Sequence, residues 1–353
     1  MAGIGVQVIQ SAGKTMISRS SYSMLRRAQY NIVTKSVKYS SNTHDSEKDP
    51  APFFFNEDVQ NLLKTLIRPN NEKLFRKRKD GKPIEDAVYK FMTDEELKKH
   101  INEADERGLR RLQMPPVVKR RTDIQRVLSK DPALQGHDTA KYVFTDITYP
   151  ANDYQRLIAI REIDGTLRTA TWDERHRINQ IYYPIKGRQI RHPKMFQEEY
   201  LKDVLDRREY EFILDRACLQ YEPNDPEYHR ITETVYAKVN EEADFDRLRS
   251  TRHFGPLVFH LVWTKNINHL LLENIKTERL EDAVLLIKLY NTVHPDALSA
   301  TLDYNGDNLK FLEDYISLEP SKNGRLVLSL QALKEVLNAR QIIEEGVKKA
   351  HGL

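Results

Sequence analysis

The side chains best placed to do chemistry in this sequence are arginines. The run Asp246-Arg247-Leu248-Arg249-Ser250-Thr251-Arg252-His253-Phe254-Gly255 puts Arg249 and Arg252 three residues apart, on one face of a helix expected over 244–253. Guanidinium groups so spaced can grip two phosphates, or two carboxylates of one neighbour, because each offers a planar fork of donors. Pairing within the chain, to Asp244 or Asp246, is the competing reading. Three more basic turns carry similar donors. Arg76, Lys77, Arg78, Lys79 and Lys82 surround Asp80-Gly81, Lys119-Arg120-Arg121 follow a proline pair, and Arg188 and Arg191 sit in the turn 186–192. Five cations in seven residues suit phosphate contacts, although charge runs also simply hydrate. These arginines and lysines are the candidate contacts for RNA or a protein partner.

Residues for catalysis or metal binding do not assemble in the same way. The eleven histidines contain no H-x-x-x-H or H-x-H pair, and His253 and His260 lie seven apart. Cys218 is the single cysteine, which rules out an internal disulfide, multi-cysteine zinc sites and iron–sulfur clusters. Its apolar surroundings read as those of a small buried hydrophobe. Ala12-Gly13-Lys14-Thr15 imitates a phosphate-binding loop, but the glycine such a loop needs five positions earlier is Val8. Asp303-Tyr304-Asn305-Gly306-Asp307 imitates an EF-hand opening. Its glycine comes two positions early and position twelve is Asp314, so a polar turn before a helix is expected. With no G-x-S-x-G elbow, no G-x-G-x-x-G turn and only 13 glycines in 353 residues, nothing points to an enzyme, a cofactor or a small-molecule substrate.

The clearest element is a three-stranded antiparallel meander over about 141–170. Runs rich in β-formers occupy 142–149 and 157–162, and a third begins after Asp164-Gly165, a pair that favours a type I′ hairpin turn. Thr171 and Glu174 then have the spacing of a capping box, opening a helix that ends near Pro184. Before the meander, amphipathic patterns predict helices over 56–67 and from Thr93 to about Leu109, with a short one through Ile124, Val127 and Leu128. After it, helices are expected over 196–207, 209–220, 226–240, 244–253, 257–264, 267–278, 280–293, 309–318 and 326–350, with breaks at Gly255-Pro256 and other proline sites. The fold class is α+β, predominantly α: the meander joins an extended helical N-terminal part to a C-terminal array of helical hairpins. The expected divisions are 1–44, 45–135, 136–193 and 194–353. No apolar run is long enough to span a bilayer.

Charge is unevenly placed. Residues 1–44 hold six cations, eight serines and no acid, the composition of a mitochondrial transit peptide or of a disordered basic arm. Setting those six cations aside leaves 50 basic against 52 acidic residues, so the bulk of the chain lacks the field of a general nucleic-acid binder.

With these segments in place, the chain resembles the twenty-second family of mitochondrion-specific small-subunit ribosomal proteins, an insect member being expected. The matching residues are Leu112…Met114-Pro115-Pro116-Val117, Lys141-Tyr142-Val143-Phe144-Thr145-Asp146-Ile147, Gly165-Thr166-Leu167-Arg168 and Trp172…Glu174-Arg175. Leu248-Arg249-Ser250-Thr251-Arg252…Phe254-Gly255 and Leu289-Tyr290…His294-Pro295-Asp296 complete them, spread in order over 54–296. Pro256 stands where the family pattern has a second small residue. The resemblance implies a non-catalytic component of the mitochondrial small ribosomal subunit, in the matrix and not a homo-oligomer. Small-subunit rRNA and neighbouring ribosomal proteins are then its partners. The alternative is a free mitochondrial RNA-binding helical adaptor.

Overall fold

Thr171 and Glu174 close a capping box: the Glu174 amide donates to Thr171 Oγ1 at 3.3 Å, and the Thr171 amide to Glu174 Oε2 at 2.9 Å. That fixes the start of the helix Trp172–Tyr182 directly after a small sheet. The structure, a computed structural model, describes residues 9–10, 48–75, 88–123, 125–137, 139–148, 156–318 and 324–350. Apart from residues 9–10, the arm over 1–44 lies outside the described residues, as do the basic turn 76–82 and the loop 149–155. Two compact units divide the chain: 1–48 with 122–192, and 49–121 with 193–353. The N-terminal helices, expected as a separate extended part, fall in the same unit as the C-terminal array.

In the first unit the expected strands are Tyr142–Thr145, Ile158–Arg161 and Thr166–Thr169, all antiparallel neighbours. A fourth strand, Val127–Lys130, pairs with Thr166–Thr169, and the two-residue strand Ile9–Gln10 lies along the opposite edge. The 3–4 spacing of Ile124, Val127 and Leu128 predicts a helix, whereas Val127–Lys130 is a fully exposed edge strand. An open ladder on Thr166–Thr169 decides the matter, since strand preference is set by the neighbours available. The Asp164-Gly165 turn also differs from the expected type I′. Only Gly165 takes positive φ (+81°), and the Gly165 amide donates to Glu162 O at 3.1 Å while the Glu162 amide donates to Thr166 O at 2.8 Å. This is a three-residue loop with glycine at the left-handed position, the next most common hairpin solution. Ile158 and Ile160 pack with Ala170, Val143 and Ile178 as a small core under the helix.

The second unit is built around the helix Phe254–Trp263. Nearly every side of it is buried, which marks a central helix rather than a surface one. Gly255-Pro256, expected as a break, falls in its first turn. There a proline is tolerated because the first amides lack helical partners in any case. The helix Glu57–Ile67 lays its Val59, Leu63, Leu66 and Ile67 face against Phe254–Trp263 and Leu280–Val293. The helices Tyr210–Gln220, Pro226–Glu242, Asn268–Lys276, Asn308–Leu318 and Gly324–Ala350 contribute to the same core. Several joints share one closure. Arg208, Ala243, Lys265 and Glu278 all take left-handed φ, and the following amides reach back five residues, as in Asn266 to Leu261 O at 2.8 Å and Arg279 to Asn274 O at 2.8 Å. These are Schellman turns made without glycine. No helix of the described residues is long and apolar enough to cross a membrane.

Candidate functional site

The helix expected over 244–253 stops at Leu248, because Ser250 turns to φ +63° and the chain folds back. The Ser250 amide donates to Ile67 O at 3.1 Å and its hydroxyl to Arg68 O at 2.6 Å, pinning this bend to the end of the Glu57–Ile67 helix. Arg249 and Arg252 therefore do not share a helix face, and their environments differ.

Arg249 is only 5% exposed. Its Nε donates to Asp246 at 3.1 Å, Nη1 to Asp282 at 3.3 Å, and Nη2 to Glu273 at 2.6 Å and to the Asn274 side chain at 2.9 Å. Its guanidinium also stands 5.0 Å from the centre of the Phe254 ring. Arg68 adds hydrogen bonds of 2.8 Å to both Asp282 and Glu281, and Arg279 donates to Asp246 at 2.9 Å. Three arginines thus hold four carboxylates where the Glu57–Ile67, Asn268–Lys276 and Leu280–Val293 helices meet the 244–254 bend. Burial pushes the Glu273 carboxyl above the usual carboxylate range despite Arg249. At Asp246 burial acts in the same direction, but the Arg279 hydrogen bond and the charges of Arg279 and Arg249 hold the carboxyl below that range. The Arg249 guanidinium is thus engaged from all three of its nitrogens within the chain. The expectation that Arg249 would face a partner is corrected: it is a buried structural hub.

Arg252 is also engaged within the chain, donating to Asp215 Oδ1 from Nε at 3.0 Å and from Nη2 at 2.6 Å. The same oxygen lies 2.9 Å from Nε2 of the buried His253, whose pKa burial lowers even though Asp215 opposes the shift. Arg120 Nη2 donates to both carboxylate oxygens of Glu233, at 2.6 and 2.7 Å, a half-exposed pair of the kind that contributes little. Arg121 pairs with Asp225 in a more enclosed place, and its backbone amide donates to Asn224 O at 2.8 Å. Lys119 is exposed. Arg188 is half-buried and Arg191 exposed, in a turn held to the Trp172–Tyr182 helix. Arg76, Lys77, Arg78, Lys79 and Lys82 lie outside the described residues.

In the first unit Arg168 joins Glu162 (2.7 Å) and the capping-box Glu174 (2.8 Å). The Arg168 hydrogen bond outweighs partial burial and draws the Glu174 carboxyl from 4.5 down to about 2. A carboxyl lowered by folding adds stability that is complete above its unfolded value and is lost as pH falls toward its folded one. The first unit should therefore weaken from about pH 4.5 down to about 2. Acid titration followed by circular dichroism should show a flatter acid limb for Glu174→Gln than for the unaltered chain. Equal limbs would show that the pair does not drive it.

No group of three His, Cys, Asp or Glu able to hold a metal occurs among the described residues. The thiol of Cys218 lies 3.5 Å from the Tyr228 hydroxyl, and burial pushes its pKa up, away from reactivity. Asp303–Asp307 is a polar turn in which Asp307 Oδ1 accepts from the Leu309 amide at 2.9 Å, opening the Asn308–Leu318 helix. Arg68 and Gln180 are organising residues that sequence reasoning did not single out, and Arg168 was named only as part of the family resemblance, with no structural role assigned. For Arg68 and Arg168 the only available signal was a cation flanking a well-defined helix or hairpin.

A family model described as Mitochondrial 28S ribosomal protein S22 matches residues 52–295. The chain is 36% identical over 293 residues to the bovine (Bos taurus) Small ribosomal subunit protein mS22, covering 82% of this chain and 81% of that one. It is 34% identical over 290 residues to the mouse (Mus musculus) protein of the same name, covering 82% and 80%. The matched span takes in both the sheet and the arginine hub, and with this extent of identity the chain belongs to the mitochondrial 28S ribosomal protein S22 family.

Proposed function

We propose that this chain is a structural component of the small subunit of the mitochondrial ribosome, located in the mitochondrial matrix and without catalytic activity. It keeps its place by contacts with rRNA and with neighbouring ribosomal proteins. The family match over 52–295 carries the ribosomal role, and the structural observation that supports packing among neighbours is the helix Asp94–Arg111, in which Gly108 alone is buried. In proteins most helical stability comes from packing an amphipathic face rather than from propensity, so an uncovered stripe on a helix asks for a partner.

The foot of that helix is anchored. Gly108 sits against Leu74 and Phe75, Arg111 donates to Leu74 O, and the Arg111 guanidinium lies 5.2 Å from the Phe75 ring centre. From there the same stripe continues upward through Ala104, Ile101 and Leu97. Ile101 and Leu97 are exposed, and so are Val88, Tyr89, Phe91 and Met92 in the stretch before the helix. Acids at Asp94, Glu95 and Glu96 fill its first turn, which disfavours a phosphate backbone there and suits a protein neighbour with basic residues around an apolar groove. A chain in which two expected phosphate-gripping arginines are internally paired, while the narrow apolar stripe of an otherwise charged helix stands exposed, is built to be packed between neighbours.

Sedimentation of a mitochondrial lysate tests the reading. The chain is expected to co-migrate with the small subunit through high salt. A peak at the top of the gradient would instead support the free RNA-binding adaptor and reject the ribosomal role.

A further inference from the structure

From Arg175 to Gln197 the sequence contains no Asp or Glu, while Arg175, Arg177, Lys186, Arg188 and Arg191 fall within 175–192. The fold converts the second half of this stretch into a fixed turn. Gln180, 8% exposed on the Trp172–Tyr182 helix, donates from Nε2 to Ile185 O at 3.2 Å and to Arg188 O at 3.0 Å. Its Oε1 accepts from the Ile185 amide at 3.3 Å. Gly187 takes φ +87°, and the Arg188 amide closes the turn on Ile185 O at 3.1 Å. Further along, His176 Nε2 lies 3.2 Å from Gln189 O, and the His176 and His192 rings stack at 6.2 Å and 22°. The turn is thus held at both ends by side chains of one helix. Lys186 and Arg191 point into solvent from it, and Arg177 is exposed on the helix itself. Among the described residues no carboxylate pairs with these three cations, in contrast to Arg120, Arg121, Arg249 and Arg252.

We infer that the 185–192 turn, clamped by Gln180, is a binding element for the phosphate backbone of rRNA. This rests on the ribosomal role proposed above and assigns one of that role's contacts. A turn whose backbone is already fixed loses little conformational freedom on binding, so its cations bind more tightly than the same residues in a loose loop. Exposed cations at Lys186, Arg191 and Arg177, with no acid among them, suit the negative charge of an RNA backbone. Folded RNA is recognised largely through that backbone. Lysine adds a point charge that suits phosphate, whereas a carboxylate partner favours paired guanidinium forks.

The test uses the full chain in assembled small subunits, comparing the unaltered protein with Lys186→Glu/Arg191→Glu. Both side chains are exposed, so the unfolding temperature of the variant should be unchanged. Its retention on the subunit should fall about tenfold at moderate salt, and the slope of log retention against log salt should drop by about 1.5. Ultraviolet crosslinking of the unaltered subunit should leave a nucleotide on the peptide spanning 186–191. A variant that co-sediments with an unaltered salt profile overturns the inference and leaves the ribosomal role standing. Crosslinking of that peptide to an acidic protein segment, with no nucleotide, also overturns it. Failure of the unaltered chain to co-sediment would reject the ribosomal role itself, and the inference with it.

Discussion

Replacing Arg249 with methionine should destabilise the helical unit by about 3–5 kcal/mol, the range found when one partner of a buried ion pair is removed. Methionine restores much of the volume and none of the charge. Asp282, 1% exposed, would be left with Arg68 as its remaining cation, while Glu273 would lose its 2.6 Å hydrogen bond from Arg249. The Asn274 side chain, equally buried, would lose a donor as well. Denaturant unfolding of the full chain should show a lower midpoint for Arg249→Met. The matched Arg120→Met variant should shift by less than about 1 kcal/mol, because the Arg120–Glu233 pair is half-exposed. Equal shifts for the two variants would show that the hub adds nothing beyond a surface pair.

The second large effect is expected at Gly165. Its φ of +81° is a left-handed conformation, and a Cβ built there would lie 2.0 Å from the backbone oxygen of Asp131. The conformational strain alone costs about 1–3 kcal/mol for a non-glycine residue. The clash adds to it, because the Asp131 amide also donates to Gly165 O at 3.2 Å and cannot move away without losing that bond. Gly165→Ala should therefore open the contact between the hairpin loop and the segment after Val127–Lys130. Hydrogen exchange should report faster amides across both strands, with the helical unit unaffected. Protection at the level of the unaltered chain would contradict this account of the turn.

How much of this was legible in the sequence depended on how local each signal was. The two capping boxes, at Thr93–Glu96 and Thr171–Glu174, were legible because all their partners lie within four residues. The long C-terminal helices were legible from their apolar stripes. The Val127–Lys130 strand was not, because the strand it pairs with, Thr166–Thr169, lies nearly forty residues away. The Arg249 environment was half-visible. Pairing with Asp246 was an open reading, but Glu273, Asn274 and Asp282 are brought in by two other helices, which no spacing within 244–255 could reveal. Gln180 gave no signal either, since a glutamine in a helix reads as solvent-facing until the turn it supports is seen. The absence of catalytic spacing in the sequence agrees with the family to which the chain belongs.

The Arg249 hub is engaged within the chain, while the apolar stripe of the Asp94–Arg111 helix and the stretch before it stand exposed for neighbours. Hydroxyl-radical footprinting of the full chain, free and in the small subunit, tests this directly at Tyr89, Phe91, Leu97 and Ile101. Strong oxidation of all four in the free chain and protection of all four in the subunit is the predicted result. Equal oxidation in both states would contradict it.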